Sequence, residues 1–185
     1  MKTKFQLTLV ALFALLLVAC PKPNPKPNPV RACLDFQAIA TFPQTFAGPT
    51  FTVTTTPPNS LIFTNPIDPS GAIMPITLED RVEDLDGKPE LNVGFSRDTG
   101  GYRPMFVEFP AANFPNGVKD VTVELQHFAS ATMLALDNSG GVINTVTQPA
   151  QKTRVVLSLP GPKIRKLQFN VVETLVYKIC WTPMP

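Results

Sequence analysis

His127 is the only histidine in the chain and the only obvious general base for a Ser-His-Asp or Cys-His mechanism. It continues an alternation of apolar and polar residues and stands next to Phe128. The sequence contains no Gly-x-Ser-x-Gly, no His-x-His and no glycine-rich phosphate loop. We therefore predict a packed or half-exposed strand histidine and a protein that is not an enzyme, with a hydrolase as the least favoured class.

Residues 96–103 form a second group whose side chains could do chemistry. Arg97, Asp98 and Arg103 supply charged hydrogen-bonding groups, and Tyr102 supplies a ring beside a glycine pair. Sugar sites combine an apolar ring face with such polar groups. We predict that these four residues bind a ligand; the alternative is an ordinary polar loop with an internal ion pair.

Acidic residues cluster before Gly87, and Asp84 and Asp86 are weak candidates for calcium ligands because this hard cation prefers carboxylate oxygens. The full twelve-residue calcium-loop pattern is missing, so a solvated acidic loop is the alternative. Three cysteines with one histidine do not have the spacing of a zinc site. We therefore predict no cofactor, with a structural calcium ion as the alternative.

The charge distribution argues against a nucleic-acid partner. Four of the 16 basic residues lie before Val30, whereas all 14 acidic residues lie after it. The domain that follows is slightly acidic, although the whole-chain pI is about 8.5, and no basic patch is present.

The amino terminus has the layout of an export signal. Lys2 and Lys4 precede an apolar run over residues 5–18, which is shorter than the ~20 residues of a membrane-spanning helix. The run ends in Leu-Val-Ala-Cys, and this ending resembles the lipobox of bacterial lipoproteins. The resemblance implies that residues 1–19 are a signal peptide and that Cys20 carries the lipid. An uncleaved anchor, or an ordinary signal with a chance cysteine, is the alternative.

The resemblance also implies a location and a membrane partner. A lipidated protein would lie in the cell envelope, outside the cytoplasm and attached to a membrane by its lipid. Pro21, rather than an aspartate, follows the cysteine, which by analogy favours the outer membrane in a host with two membranes. Residues 20–29 then form a Pro-rich linker, since proline at every second position disfavours helix and sheet. An extended polyproline II segment of this length would hold the domain, residues 30–185, about 25–30 Å from the membrane.

Two cysteines remain after Cys20, near the two ends of the domain. In an oxidising compartment Cys33 and Cys180 are predicted to form one disulfide, with two buried free thiols as the alternative. Such a bridge requires the first and last strands to lie close together, and we expect them to be neighbours in one sheet. We then expect five residues to point into the core together: Leu34, Phe36, Tyr177, Ile179 and Trp181.

Short strands with turn signals between them account for the rest of the domain, and no stretch has helical periodicity over two turns. The clearest turn is the hairpin loop over residues 137–141. This pattern predicts an all-β fold, an antiparallel β-sandwich. The predicted strands cover residues 33–40, 51–55, 60–64, 73–78, 91–95, 105–109, 121–126, 132–136, 142–146, 154–159, 167–172 and 175–181.

Three pieces of the pattern resemble the galactose-binding-domain-like family: residues 33–36, residues 121–125 leading into 135–141, and residues 165–169 before 177–180. The resemblance implies a jelly-roll sandwich with adjacent termini. Members of that family commonly bind glycans or serve as accessory modules on secreted proteins, but no sugar-binding motif can be carried over to residues of this chain. We expect a non-catalytic binding or adhesion module with a glycan ligand; the alternative is a structural or assembly protein of the envelope with a protein partner.

Overall fold

The computed structural model describes residues 29–55, 59–81 and 86–185. The predicted signal peptide, Cys20 and nearly all of the linker lie outside the described residues. Within the described part of the chain, no helix has the length and hydropathy needed to cross a membrane. The strands are β1 Ala32–Asp35, β2 Gln44–Phe46, β3 Thr50–Thr55, β4 Asn59–Thr64, β5 Ile76–Glu79, β6 Glu90–Ser96, β7 Met105–Glu108, β8 Val118–His127, β9 Ala131–Leu136, β10 Val142–Gln148, β11 Gln151–Leu159 and β12 Lys166–Pro183.

The strands form two antiparallel sheets that share β12. Sheet I has the order β2-β5-β6-β12-β8-β11, with β1 also paired to β12, and sheet II has the order β3-β4-β7-β12-β9-β10. Buried apolar residues from both sheets belong to one hydrophobic cluster between them. The predicted all-β antiparallel sandwich is therefore confirmed.

β12 is continuous where the sequence predicted two strands. Its first residues, from Lys166 to Asn170, pair with β7 and β9 in sheet II. From Val171 onward it pairs with β6, β8 and β1 in sheet I. Glu173, which has a φ of 46°, lies near this change of partner. β12 continues through this residue despite its left-handed backbone, so the predicted break between residues 172 and 175 was wrong.

The first strand lies beside the last, as the disulfide prediction required. Cys33 of β1 is directly opposite Cys180 of β12, and the two residues are disulfide-bonded. Their Cα atoms are 4.0 Å apart, and the two residues form a directly facing cross-strand pair. The predicted disulfide is confirmed, and it lies on the outer face of sheet I, where Cys33 is exposed.

The strand predicted over residues 33–40 is too long. β1 ends at Asp35, and Phe36–Ala38 form one turn of 3-10 helix. The Asp35 carboxylate accepts a hydrogen bond of 3.1 Å from the backbone N–H of Gln37, which caps the turn in the way short acidic side chains cap helices. The sequence also missed β2, which has only three residues and follows a proline.

Four of the five predicted core residues at the two ends of the domain belong to the central cluster: Leu34, Phe36, Ile179 and Trp181. Tyr177 is buried but was placed on the wrong face. A register shift between Val176 and Lys178 inserts Tyr177 as an extra residue, and such bulges redirect side chains. Its hydroxyl donates to the Gln126 amide oxygen at 2.7 Å, and the Arg154 guanidinium lies 3.7 Å from its ring centroid.

Removal of the disulfide tests how much it stabilises the fold. The bond joins residues 147 positions apart, so it strongly restricts the unfolded chain. We expect the double variant Cys33→Ser, Cys180→Ser to lose about 2–5 kcal/mol in its free energy of unfolding. Chemical denaturation of the variant and of the reduced wild-type protein measures this loss. An unchanged unfolding midpoint in both would contradict the prediction.

Candidate functional site

The predicted ligand loop follows β6, and the structure anchors it to two distant segments. The Arg97 guanidinium donates to the backbone oxygen of Ser130 at 3.0 Å and to its hydroxyl at 3.1 Å. The backbone N–H of Asp98 donates to the side-chain oxygen of Asn170 at 3.1 Å. These bonds fix the start of the loop against the turn before β9 and against β12.

A polar pocket of about 230 Å³ opens at this junction, and we call it the Arg97 pocket. Its one lining cation, Arg97, is matched by one lining anion, Asp98. The Thr132 hydroxyl is positioned by a 3.0 Å hydrogen bond to the Thr147 hydroxyl on the neighbouring strand. The described residues that line the pocket are Arg97, Asp98, Thr99, Ser130, Thr132 and Asn170.

The structure separates the four predicted ligand residues into two groups. Arg97 and Asp98 line the pocket, whereas Tyr102 and Arg103 do not. The Tyr102 ring packs on Phe95, with 4.3 Å between ring centroids, and the backbone of Arg103 pairs with Ile67. Ligand binding by the four residues stays a prediction, but the lining residues described for this pocket include no aromatic ring.

Of the two calcium candidates, Asp84 lies outside the described residues and Asp86 belongs to an acidic cluster with Asp80 and Glu90. Their nearest carboxylate oxygens lie within 4.8 Å of one another. Oδ1 of Asp80 is buried with no hydrogen-bond partner among the described residues, and Gln37 donates to Asp86 at 3.2 Å. The predicted solvated acidic loop, with a calcium site as its alternative, stays a prediction, although carboxylate oxygens at this spacing fit a hard cation.

His127 is fully buried, and its Nδ1 lies 2.7 Å from the backbone oxygen of Ala129. The prediction of a packed strand histidine is therefore confirmed. Its Nε2 is buried and has no hydrogen-bond partner among the residues that the structure describes. No serine or cysteine of the described chain is bonded to this ring, so the geometry there does not form a nucleophile–base pair.

Asp137 is held within the predicted hairpin loop rather than used in chemistry. Its Oδ1 accepts hydrogen bonds from the Ser139 hydroxyl at 2.7 Å and from the backbone N–H groups of Ser139 and Gly141 at 2.8 Å each. The bond from the Ser139 hydroxyl, followed by the backbone bonds, lowers the pKa of Asp137. The predicted loop is confirmed, and Asp68 makes the same turn with Ser70 and Ala72.

A second pocket, of about 300 Å³, lies on the outer face of sheet I and was missed by the sequence analysis. We call it the Gly94 pocket. The signal that could have revealed it is a glycine inside a predicted strand, because such glycines often mark a close approach by a ligand or another backbone. The described lining residues are Arg81, Asn92, Gly94, Phe128, Glu173 and Leu175.

Glu79 positions two of these lining side chains. Its Oε1 accepts hydrogen bonds from Asn92 at 2.9 Å, from Thr77 at 3.0 Å and from Arg81 at 3.2 Å. Partial burial acts to raise the pKa of Glu79, but the hydrogen bonds from Asn92, Thr77 and Arg81 together outweigh it. The net pKa of Glu79 therefore lies below its ordinary value.

Comparisons with known proteins give little further information. No protein-family model matches the sequence, and no curated protein matches it. Among solved structures, the chain is similar to a carbohydrate-binding module of a marine laminarinase from Zobellia galactanivorans, at 7% identity over 83% of this chain and 99% of that one, with a TM-score of 0.31. It is also similar to a carbohydrate-binding module of Cellvibrio mixtus lichenase 5A in complex with cellotriose, at 11% identity over 83% and 98%, again with a TM-score of 0.31. Likeness at this level carries no argument about the ligand of this chain.

The lowered pKa of Glu79 predicts how its contribution to stability depends on pH. A carboxylate whose pKa is lower in the folded state stabilises the fold above its ordinary pKa, 4.5, and loses this effect as the pH falls through the folded value. We expect Glu79→Gln to lower the melting temperature at neutral pH, with the difference from wild type shrinking below about pH 4.5. Thermal melts from neutral to acidic pH measure this, and a difference that grows on acidification would contradict it.

Proposed function

We propose that this chain is a non-catalytic binding module held outside the cytoplasm by a lipid on Cys20, and that it binds carbohydrate in the Arg97 pocket. The observation that carries the proposal is the convergence of six polar side chains from three separate segments on one pocket. Hydrogen bonds among the segments hold several of these groups in place before any ligand arrives. Such preorganisation reduces the entropic cost of binding.

The chemistry of the Arg97 pocket suits a neutral, hydroxyl-rich ligand. Hydroxyl, amide, guanidinium and carboxylate groups together offer both donors and acceptors, and each hydroxyl of a sugar can use one of each. The charges of Arg97 and Asp98 balance, so the pocket has no preference for a charged ligand. Because the described lining includes no aromatic ring on which a sugar could stack, we expect weak binding of one sugar unit, with a Kd of about 1 mM.

The test is an NMR titration of the full-length protein in detergent with neutral sugars, added at concentrations well above the expected Kd, because binding at about 1 mM is too weak to be retained on a glycan array. Asp98→Ala removes an exposed carboxylate that has no hydrogen-bond or ion-pair partner among the described residues. We expect this variant to bind roughly ten times more weakly, the usual cost of a lost hydrogen bond to a charged group.

Thr52→Ala is the matched control, because this exposed residue lies on β3 at the opposite edge of sheet II. We expect its affinity to equal that of wild type. If no neutral sugar of the titration series binds, or if Asp98→Ala binds as tightly as wild type, the carbohydrate proposal fails.

The lipid anchor is proposed from the sequence alone, and it has its own test. We expect mass spectrometry of the protein from bacterial membranes to find a chain that begins at Cys20 and carries a diacylglyceryl group and an acylated amino terminus. Cys20→Ser should shift the protein from the membrane fraction to the soluble extracytoplasmic fraction or leave its signal uncleaved. A wild-type chain without an acyl group would overturn the proposal, and separation of the two membranes would test the outer-membrane prediction.

A further inference from the structure

Gly94 leaves an opening in the outer face of sheet I. It lies inside β6, it is exposed, and a β-carbon built at this position would meet nothing within 4 Å. A strand interior loses stability at glycine because the backbone is more flexible and no side chain packs there. Gly94 thus lowers the stability of β6 at a point where open space remains above the backbone.

A second locally unfavourable feature, the backbone conformation of Glu173, lies directly opposite Gly94. In the β6–β12 register, Val172 pairs with Phe95 and Thr174 pairs with Val93, so Glu173 faces Gly94. Glu173 has a φ of 46°, a left-handed conformation that is costly for a residue with a β-carbon. Unfavourable backbone conformations of this kind cluster at functional sites, and this one orients an exposed side chain at the wall of the Gly94 pocket.

An apolar surface completes the pocket. Leu175 lines the pocket but is only 2% exposed, so the half-buried Phe128 supplies the accessible apolar surface. Phe128 lies beside Glu173, since its backbone N–H donates to the backbone oxygen of Glu173 at 3.2 Å. The pocket therefore combines a carboxylate with an aromatic ring and an aliphatic side chain.

The charge balance of the pocket favours a cationic ligand. Arg81 is the one lining cation, and its guanidinium forms an ion pair with Glu79 at 3.2 Å. Within the described part of the chain, no Lys or Arg forms an ion pair with Glu173. The carboxylate of Glu173 is therefore the uncompensated charge at this site.

We propose that the Gly94 pocket binds a small ligand that carries a protonated amine next to an apolar face. Glu173 pairs with the ammonium group, which also lies against the Phe128 ring in a cation–π contact. The carbon skeleton of the ligand occupies the space above Gly94 beside Phe128, while Asn92 offers its amide oxygen. An unacetylated amino sugar and a free diamine share this chemistry, and the site is independent of the Arg97 pocket.

Calorimetry of the full-length protein at about pH 6, where amines are protonated, tests the proposal with four probes. They are a glucosamine tetramer, its N-acetylated counterpart, a neutral glucose tetramer and putrescine. We expect at least one amine probe to bind ten or more times more tightly than both neutral tetramers, with affinity falling as salt is added. Tighter binding of the glucosamine tetramer would identify an amino sugar, and tighter binding of putrescine a free amine.

Two variants distinguish a loss of ligand binding from a loss of folding. Glu173→Gln keeps the size of the side chain and removes its charge, so the amine probe should bind about tenfold more weakly. Gly94→Thr should abolish this binding by filling the pocket, while its melting temperature stays equal or rises because threonine favours strands.

Glu108→Gln is the matched control, because it neutralises a carboxylate on sheet II that is 44% exposed, and it should bind like wild type. Asp98→Ala should likewise keep its amine binding, which distinguishes a failure of this proposal from a failure of the carbohydrate proposal. Equal binding of amine and neutral probes, or full amine binding by Glu173→Gln or by Gly94→Thr, would overturn the proposal.

Discussion

The fold depends on the pairing of one strand with both sheets. β12 is hydrogen-bonded to β7 and β9 in sheet II and to β6, β8 and β1 in sheet I. A strand of an antiparallel sheet commonly packs one face on the core. β12 does so in both sheets, because its first part buries Leu167 and Phe169 and its last part buries Ile179 and Trp181. The two sheets are therefore held together by main-chain hydrogen bonds as well as by their shared core.

Both candidate pockets lie near the point where β12 passes from one sheet to the other. Asn170 is the last residue paired in sheet II and lines the Arg97 pocket, whereas Glu173 lies just beyond the crossing and lines the Gly94 pocket. At such a crossing a strand cannot keep regular pairing on both sides, so side chains and backbone groups there become available for other contacts. The location of the two pockets follows from this topology.

Much of the fold could be predicted from local patterns, and most of the site could not. Alternation identified strands such as β8 and β9, and the Asp137 loop could be read from its turn residues. The passage of β12 through Glu173 was missed because a non-glycine residue with positive φ leaves no mark in the sequence. Tyr177 was assigned to the wrong face because one bulge reverses an alternation. The sequence could not predict that Ser130 and Asn170 lie beside Arg97, since only the tertiary structure brings these segments together.

The position of the disulfide determines how the domain would respond to a mechanical pull. Tension applied along the chain at Val30 enters β1 and arrives at Cys33 after three residues, and the sulfur bridge transmits it to Cys180 of β12. When the pull is between Val30 and the carboxyl-terminal end of β12, the residues between the two cysteines, which are 147 positions apart, lie outside the path of the force and cannot be drawn out one strand at a time. The bridge would thus keep β1 from being peeled away from β12 under such a load, because a covalent bond rather than the hydrogen bonds between these two strands would resist their separation.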